Sequence, residues 1–322
     1  MTTWFVFNGD ADGVCAAHQL RLAAGASPQP AHVITGVKRD IGLLARCDAQ
    51  AGDAVWVADI SLDSNRAALE RLLARGVQVT WFDHHHAGAI PAHVNLRAHI
   101  DTSAAMCSSL LVDHHVGGRF RTWAVTAAFG DNLVESAHIA ARELDLTSAE
   151  MEQLAELGTL MNYNAYGETV ADLRVDPALL FERMAAWMDP REFIAHDCFA
   201  GDLRATMGED LAAARSAPML HEDFGGAAIQ LPALPWARRA QGVFANELAR
   251  AHPQRAHAIV VETPQGYSVS VRAPVSQPQG ADALCRQFAT GGGRSGAAGI
   301  NQLPRKDLNR FLAAFRLAYP AR

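Results

Sequence analysis

Three of the first four apolar runs in this chain end in aspartate, and no other feature constrains its fold as tightly. Residues 4–7 lead into Asn8-Gly-Asp10-Ala-Asp12-Gly13, residues 54–58 into Asp59, and residues 77–82 into Asp83-His84-His85-His86. Helical stretches over 14–24 and 65–75 alternate with these runs and are closed by Gly25 and Gly76. With 33–37 as a further strand, short runs apolar on both faces predict a parallel sheet covered by helices. Ligands of such a sheet bind beyond the carboxyl ends of its strands, so the aspartates should converge on one crevice.

Carboxylates crowded together repel unless a positive charge lies among them. Oxygen ligands joined by one or two imidazoles suit Mn²⁺, Mg²⁺ or Fe²⁺ better than a thiolate-seeking metal. Two divalent ions sharing a bridging carboxylate would form a hydrolytic site for phosphate esters. Taken singly, each piece has a plainer reading. Asp-x-Asp-Gly is a common turn, and a strand-terminal Asp often only caps a helix. Their order along one sheet edge is what carries the metal reading.

Asn8-Gly-Asp10-Ala-Asp12-Gly13, Asp59, Asp83-His84-His85 and Asp131 within Ala127-Ala-Phe-Gly-Asp131-Asn132 resemble the four motifs of the DHH phosphoesterase family. Thr290-Gly-Gly-Gly-Arg294-Ser-Gly-Ala-Ala-Gly299 resembles the glycine motif of that family's DHH-associated domain. The resemblance implies that Asp10 and Asp59 hold one ion, while Asp12, Asp59, His84 and Asp131 hold a second. Asp59 would bridge them, and a metal-activated water would attack the phosphate. It gives Asp83 and His85 catalytic roles, with Asp83 supporting the histidine pair and His85 near the substrate phosphate. His86 reads as structural or as a support behind the ligands. The cofactor expected is Mn²⁺, with two ions, and Mg²⁺ as the alternative.

Two departures mark a divergent subfamily. Family members often carry His or Asp ahead of the first Asp pair; here Val6 cannot coordinate, and Asn8 offers only a weak ligand oxygen. The glycine motif commonly ends in His, but here Arg294 stands there, a permanent cation that binds phosphate without exchanging protons. A second tripeptide, Asp113-His114-His115, follows Ser108-Ser-Leu-Leu-Val in a helical stretch. Consecutive helix residues point in different directions, so it reads as no site.

Beyond Met106 the pattern is mostly helical to about Arg215, with Asp176-Pro177 and Asp189-Pro190 as helix starts or turns. The expectation is a DHH domain over 1–215, a linker at 216–226 and a smaller α/β substrate-binding domain over 227–322, with a cleft between. In the second domain Gly291, Gly292, Gly293 and Arg294 should form an anion-binding loop. The resemblance implies that Arg272, at the end of the strand Tyr267-Ser-Val-Ser-Val-Arg272, lines the substrate cleft. Lys38-Arg39 could face the crevice or begin a solvated helix, and the run Asn162-Tyr-Asn-Ala-Tyr166 has no firm assignment.

With 28 Lys and Arg against 34 Asp and Glu, the net charge is −6, which argues against long duplex nucleic acid. No run approaches a membrane span, and the five scattered cysteines form no Cys-x-x-Cys. A cytoplasmic location follows as the expectation, and a homodimer is left open. The function expected is Mn²⁺-dependent hydrolysis of phosphodiester bonds in short single-stranded oligonucleotides or small nucleotides. The alternatives are a phosphomonoesterase of a nucleotide bisphosphate or other small phosphate, and a catalytically weakened nucleotide-binding protein.

Overall fold

The computed structural model describes residues 2–25 and 31–321. The chain forms two compact units, Met1–Arg204 and Ala205–Arg322. The first is built on β1 (Thr3–Phe7), α1 (Ala11–Ala24), β2 (Ala31–Ile34), β3 (Ala54–Ala58), α2 (Arg66–Ala74), β4 (Gln78–Asp83) and β5 (Leu96–Ile100). Its five strands are all parallel in the order β2-β1-β3-β4-β5. That order reverses direction between β1 and β3, which opens a crevice at their carboxyl ends.

Strand β5 is an addition to the sequence reading. Leu-Arg-Ala-His-Ile is half polar, as suits a partly buried edge strand, and it lacks the continuous apolar run of its neighbours. One side of the sheet is closed by Leu43, Leu44 and the apolar face of α2, packed on Val55, Val57, Val79 and Trp81. Helix α1 is buried from Ala11 through Leu20, so it lies inside the unit and has no wet face there.

The helical stretch expected from Met106 is present. It comprises α3 (Ser108–His115), α4 (Arg121–Gly130), α5 (Val134–Ala141), α6 (Ser148–Asn164), α7 (Pro177–Arg183), α8 (Pro190–His196) and α9 (Phe199–Arg215). Asp176 and Asp189 cap α7 and α8 ahead of a first-turn proline, as their Asp-Pro pairs predict. Among the described residues, no helix is long and apolar enough to cross a membrane.

The second unit is a mixed sheet of β6 (Met219–Glu222), β7 (Gly226–Leu231), β8 (Ala256–Thr263), β9 (Gly266–Arg272), β10 (Gly291–Arg294) and β11 (Ala297–Leu303). The order is β10-β11-β9-β8-β7-β6, with β7 and β8 parallel and the other neighbours antiparallel. Side chains alternate across it. Ile259 and Val261 meet α10 (Pro235–Ala251) through Ala237 and Phe244. Ala258 and Val260 face the opposite side, with α11 (Ala281–Cys285) and α12 (Leu308–Ala318) contributing Leu284, Phe311 and Phe315.

Two segments differ from expectation here. Residues 216–226, read as a linker, contain β6, which pairs antiparallel with β7 inside the second unit. Asp223 Oδ1 accepts from the N–H groups of Gly225 and Gly226 at 2.8 and 2.9 Å and turns the chain. An Asp-Phe-Gly-Gly hairpin turn carries the same punctuation as a connection, which is why the run reads as one. The expected loop Gly291–Arg294 is strand β10, paired with β11 from Gly291↔Ile300 to Arg294↔Ala297. Glycine has little strand preference of its own, so this pairing comes from its partner strand.

Candidate metal centre

The carboxyl ends of β1, β3 and β4 deliver the aspartates as expected, and each is held differently. Asp10 caps α1, its Oδ1 accepting from the N–H groups of Asp12 and Gly13, both at 3.1 Å. Asp12 points across to α3, where its two oxygens accept from Ser108 N–H at 2.8 Å and Ser109 N–H at 2.7 Å. The start of a helix supplies such unpaired donors and favours negative charge.

Asp59 leaves β3 with φ at 57°, in the left-handed region. That conformation costs an L-residue roughly 1–2 kcal/mol, and Asp tolerates it better than most. Asp59 N–H still donates to Phe82 O at 3.0 Å, so the bend turns the side chain without breaking the ladder. Ser108 Oγ donates to Asp59 Oδ1 at 3.3 Å.

Asp131 follows α4 directly. Its approach depends on Gly130, where a Cβ would lie 2.4 Å from Ala11 Cβ and 2.8 Å from Gly158 O. The missing side chain lets α4 press against α1 and α6, bringing Asp131 to the aspartates of the β1–α1 turn.

His84 organises the cluster. Its Nδ1 lies 3.0 Å from Met106 O, and a carbonyl only accepts, so Nδ1 carries the hydrogen. Nε2 then faces Asp59 Oδ1 at 3.4 Å, Asp131 Oδ2 at 3.6 Å and Asp12 Oδ2 at 3.9 Å. On a neutral ring this nitrogen has a lone pair aimed at carboxylate lone pairs, an arrangement that calls for a cation between them. The ligand atoms of Asp12, His84 and Asp131 lie within 4.8 Å of one another, as do those of Asp59, His84 and His85. An oxygen-rich set with one fixed imidazole fits a divalent ion such as Mn²⁺ or Mg²⁺.

The electrostatics agree with crowding. Burial pushes the Asp59 carboxyl well above the usual range, and Asp10, Asp12 and Asp131 push it further. Burial and then Asp131 also raise Asp12. Asp10 is the exception. Burial would raise it too, but the Lys38 ammonium outweighs that and holds the carboxyl below its usual value.

Lys38, undecided from sequence, is inside the site. Its Nζ pairs with Asp10 Oδ2, donates to Asn162 Oδ1 at 3.0 Å, lies 3.5 Å from Asp131 Oδ1 and stands 5.9 Å from the centre of the Tyr166 ring. The turn after β1 and the segment after β2 touch closely at Gly9, where a Cβ would be 1.9 Å from Gly36 O. Asn8, expected as a weak ligand, serves this arrangement instead. Its Oδ1 accepts from Asp10 N–H at 3.2 Å and its Nδ2 donates to Lys38 O at 3.0 Å.

Asp83 and His85 form a separate pair at the edge. Asp83 is fully buried and its Oδ1 accepts from His84 N–H at 2.9 Å and from His85 Nδ1 at 2.7 Å. Asp83 Oδ2 is buried with no hydrogen-bond partner among the described residues. The hydrogen bond to Asp83 raises the His85 pKa against the opposing effect of burial. His86 is exposed, and its carbonyl accepts from Ser61 Oγ at 3.1 Å. The second tripeptide is in α3 as expected. Asp113 Oδ2 accepts from Arg121 Nε at 3.0 Å, His115 packs edge-on against Phe82, and His114 is exposed.

In the second unit Arg294, Ala297 and Arg272 stand opposite one another on β10, β11 and β9. Directly opposed residues share a sheet face, so the two arginines stand on one side about 10 Å apart. Arg294 is exposed at the strand edge, and Arg272 Nε donates to Asn246 Oδ1 at 2.7 Å. Gly291, Gly292 and Gly293 precede Arg294 along the same edge strand. Sequence reasoning misses Ser108, Ser109 and the Met106 carbonyl. The serines are typical of a helix start, but nothing local names the carboxylate they meet.

No protein-family model matches the sequence, and no curated protein does. Solved structures do. A DHH-domain protein described as a member of a family of ribosomal proteins superposes with a TM-score of 0.68 at 14% identity, covering 98% of this chain and 86% of that one. The exonuclease RecJ bound to manganese gives 0.58 at 16% identity, over 98% of this chain and 89% of that one. A pGpG-specific phosphodiesterase, PggH from Vibrio cholerae, gives 0.52 at 14% identity, over 99% of both chains. Identities this low speak to architecture alone, and the architecture is that of the DHH-domain proteins.

Proposed function

We propose that this chain, which carries the DHH-domain fold, is a divalent-metal-dependent phosphoesterase that hydrolyses phosphodiester bonds of short oligonucleotides or small nucleotides. The observation that carries this reading is the His84 ring, fixed by Met106 O with its second nitrogen facing three carboxylates. The neighbours described as a manganese-bound exonuclease and a pGpG-specific phosphodiesterase support the chemistry and the bond type.

Asp12, Asp59, His84 and Asp131 would hold Mn²⁺, with Mg²⁺ as a substitute. When bound, the ion supplies a Lewis acid for a phosphoryl oxygen and a nucleophile at neutral pH. The protein's own part is to keep these ligands fixed: Ser108 and Ser109 orient Asp12, and Met106 O sets the His84 tautomer. His85 is held at Nδ1 by Asp83 and exposes the rest of its ring. Its raised pKa keeps a proton available at Nε2 for the leaving oxygen, which departs as an alcohol. Arg294 and Arg272 would bind a phosphate of the substrate, and Gly291, Gly292 and Gly293 leave the edge-strand backbone open to an anion. The net charge of −6 favours short substrates over long duplexes.

A substrate panel with Mn²⁺ or Mg²⁺ tests this. It contains dinucleotides, longer oligonucleotides, cyclic dinucleotides and nucleotide bisphosphates. Metal-dependent cleavage of dinucleotides and short oligonucleotides is expected. Release of phosphate from bisphosphates alone would install the monoesterase reading. Mn²⁺ binding with no hydrolysis of any member would install the nucleotide-binding one.

A further inference from the structure

We propose that Lys38 stands in for one ion of a two-metal centre, so that this protein binds a single divalent cation at the His84 side of the site. The inference rests on the metal-dependent reading above and deepens it. The resemblance alone assigns a first ion to Asp10 and Asp59, with Asn8 as an extra ligand. In the structure Asp10 is already paired with the Lys38 ammonium.

An ammonium has three N–H donors, and Lys38 finds three side-chain oxygens: Asp10 Oδ2, Asn162 Oδ1 at 3.0 Å and Asp131 Oδ1 at 3.5 Å. The other oxygen of Asp10 is committed to the Asp12 and Gly13 N–H groups that begin α1. Both polar atoms of Asn8 are committed as well, one to Asp10 N–H and one to the Lys38 carbonyl. Val6, four residues before Asp10, is fully buried and apolar. A divalent ion needs carboxylate oxygens at about 2.0–2.6 Å, so one bound at Asp10 Oδ2 would sit against the ammonium already paired there and be repelled by its charge.

Lys38 is not a surface side chain that has folded in by chance. Its N–H donates to Ala165 O at 2.9 Å, and its carbonyl is held by Asn8, so the backbone is pinned on both sides of the Cα. The Tyr166 ring lies 5.9 Å from the ammonium and adds a cation–π contact.

The opposite side of the cluster has a different character. Asp12 Oδ2, Asp59 Oδ1 and Asp131 Oδ2 face an imidazole nitrogen rather than an ammonium. Asp131 divides its oxygens between the two halves, Oδ1 toward Lys38 and Oδ2 toward His84. One fixed positive charge and one exchangeable ion would therefore share the carboxylates that a two-metal centre gives to two ions.

Calorimetric titration of the full chain with Mn²⁺, joined to electron paramagnetic resonance of the loaded protein, decides this. One equivalent and the six-line spectrum of an isolated Mn²⁺ are expected. Two equivalents with a spin-coupled spectrum would overturn the role of Lys38 while leaving the metal-dependent function standing. No binding at all would overturn both. Lys38→Ala should admit a second equivalent and produce the coupled spectrum, whereas Lys38→Arg should stay at one. A Lys38→Ala protein that still binds one equivalent would also overturn the proposal. The wild-type count depends on no variant folding.

Discussion

His84 Nδ1 donates to the carbonyl oxygen of Met106 at 3.0 Å. Met106 lies two residues before α3, whose first N–H groups hold Asp12. One short piece of chain thus fixes an imidazole and a carboxylate that are 72 residues apart in sequence. Shared support of this kind keeps ligand atoms in position without help from the substrate.

His84→Ala removes the ring nitrogen that faces all three carboxylates. Mn²⁺ affinity should fall by more than about 100-fold and Mn²⁺-dependent hydrolysis should fall with it. His114→Ala should match the wild type in both, since His114 is exposed on α3. Titration and initial rates on the same preparations check this. Equal losses in the two variants would move the site to the second tripeptide.

Stability should respond to pH and metal together. Asp59 and Asp12 have carboxyls raised above 3.8, first by burial and then by their carboxylate neighbours. Their folded forms favour the proton, so their contribution is greatest below the unfolded value and is lost as pH rises through the folded ones. Asp10 acts oppositely, because Lys38 holds it low. In chelator, the melting temperature should fall as pH rises above about 6.5, where His18 has stopped titrating, and Mn²⁺ should restore it more at the higher pH, where fewer protons compete. A gain independent of pH would argue against ligation by these carboxylates.

His18 should make the first unit sensitive to acid. Burial, then the nearby Arg21, lower its pKa to about 3. Its Nδ1 accepts from Arg21 at 2.8 Å and its Nε2 donates to Trp187 O at 2.9 Å, a pairing that requires the neutral ring. This stability is fully present above 6.5 and is lost as pH falls toward the folded value. Urea unfolding should show a loss of about 2–3 kcal/mol between about pH 6.5 and 4.5 from this group. His18→Gln should flatten that slope, and an unchanged slope would contradict the assignment.

Arg294→Ala should raise KM several-fold and change kcat less, as loss of uniform substrate binding does. Arg294 is exposed at the end of an edge strand, so the melting temperature should hold. Steady-state kinetics on a dinucleotide measure the split. A fall in kcat at constant KM would contradict an anchoring role.

The strand-terminal aspartates are legible in the sequence because their signal is local: an apolar run, then a carboxylate. Asp10, Asp12, Asp59, His84 and Asp131 do converge, and Asp83 with His85 lies beside them. Lys38 is half legible, since its position after β2 puts it on the correct sheet edge without saying which way it turns. Asn8 reads as a ligand because its spacing invites that reading, yet its amide closes two backbone contacts. Ser108 and Ser109 reach Asp12 across 96 and 97 residues, and no short window of sequence contains both ends of such a contact. Strands β6 and β10 escape a sequence reading because a hairpin turn and a glycine run share the composition of loops.

Gly130 has no side chain, titrates nothing and touches no phosphate, yet Asp131 owes its place to it. A survey of substitutions across this protein would therefore find sharp intolerance at a residue with no chemical group. Alanine there would displace a helix by the width of a methyl group, and activity would be lost from a protein whose reactive side chains are all intact. Sensitivity to substitution in this region reports spacing as much as chemistry.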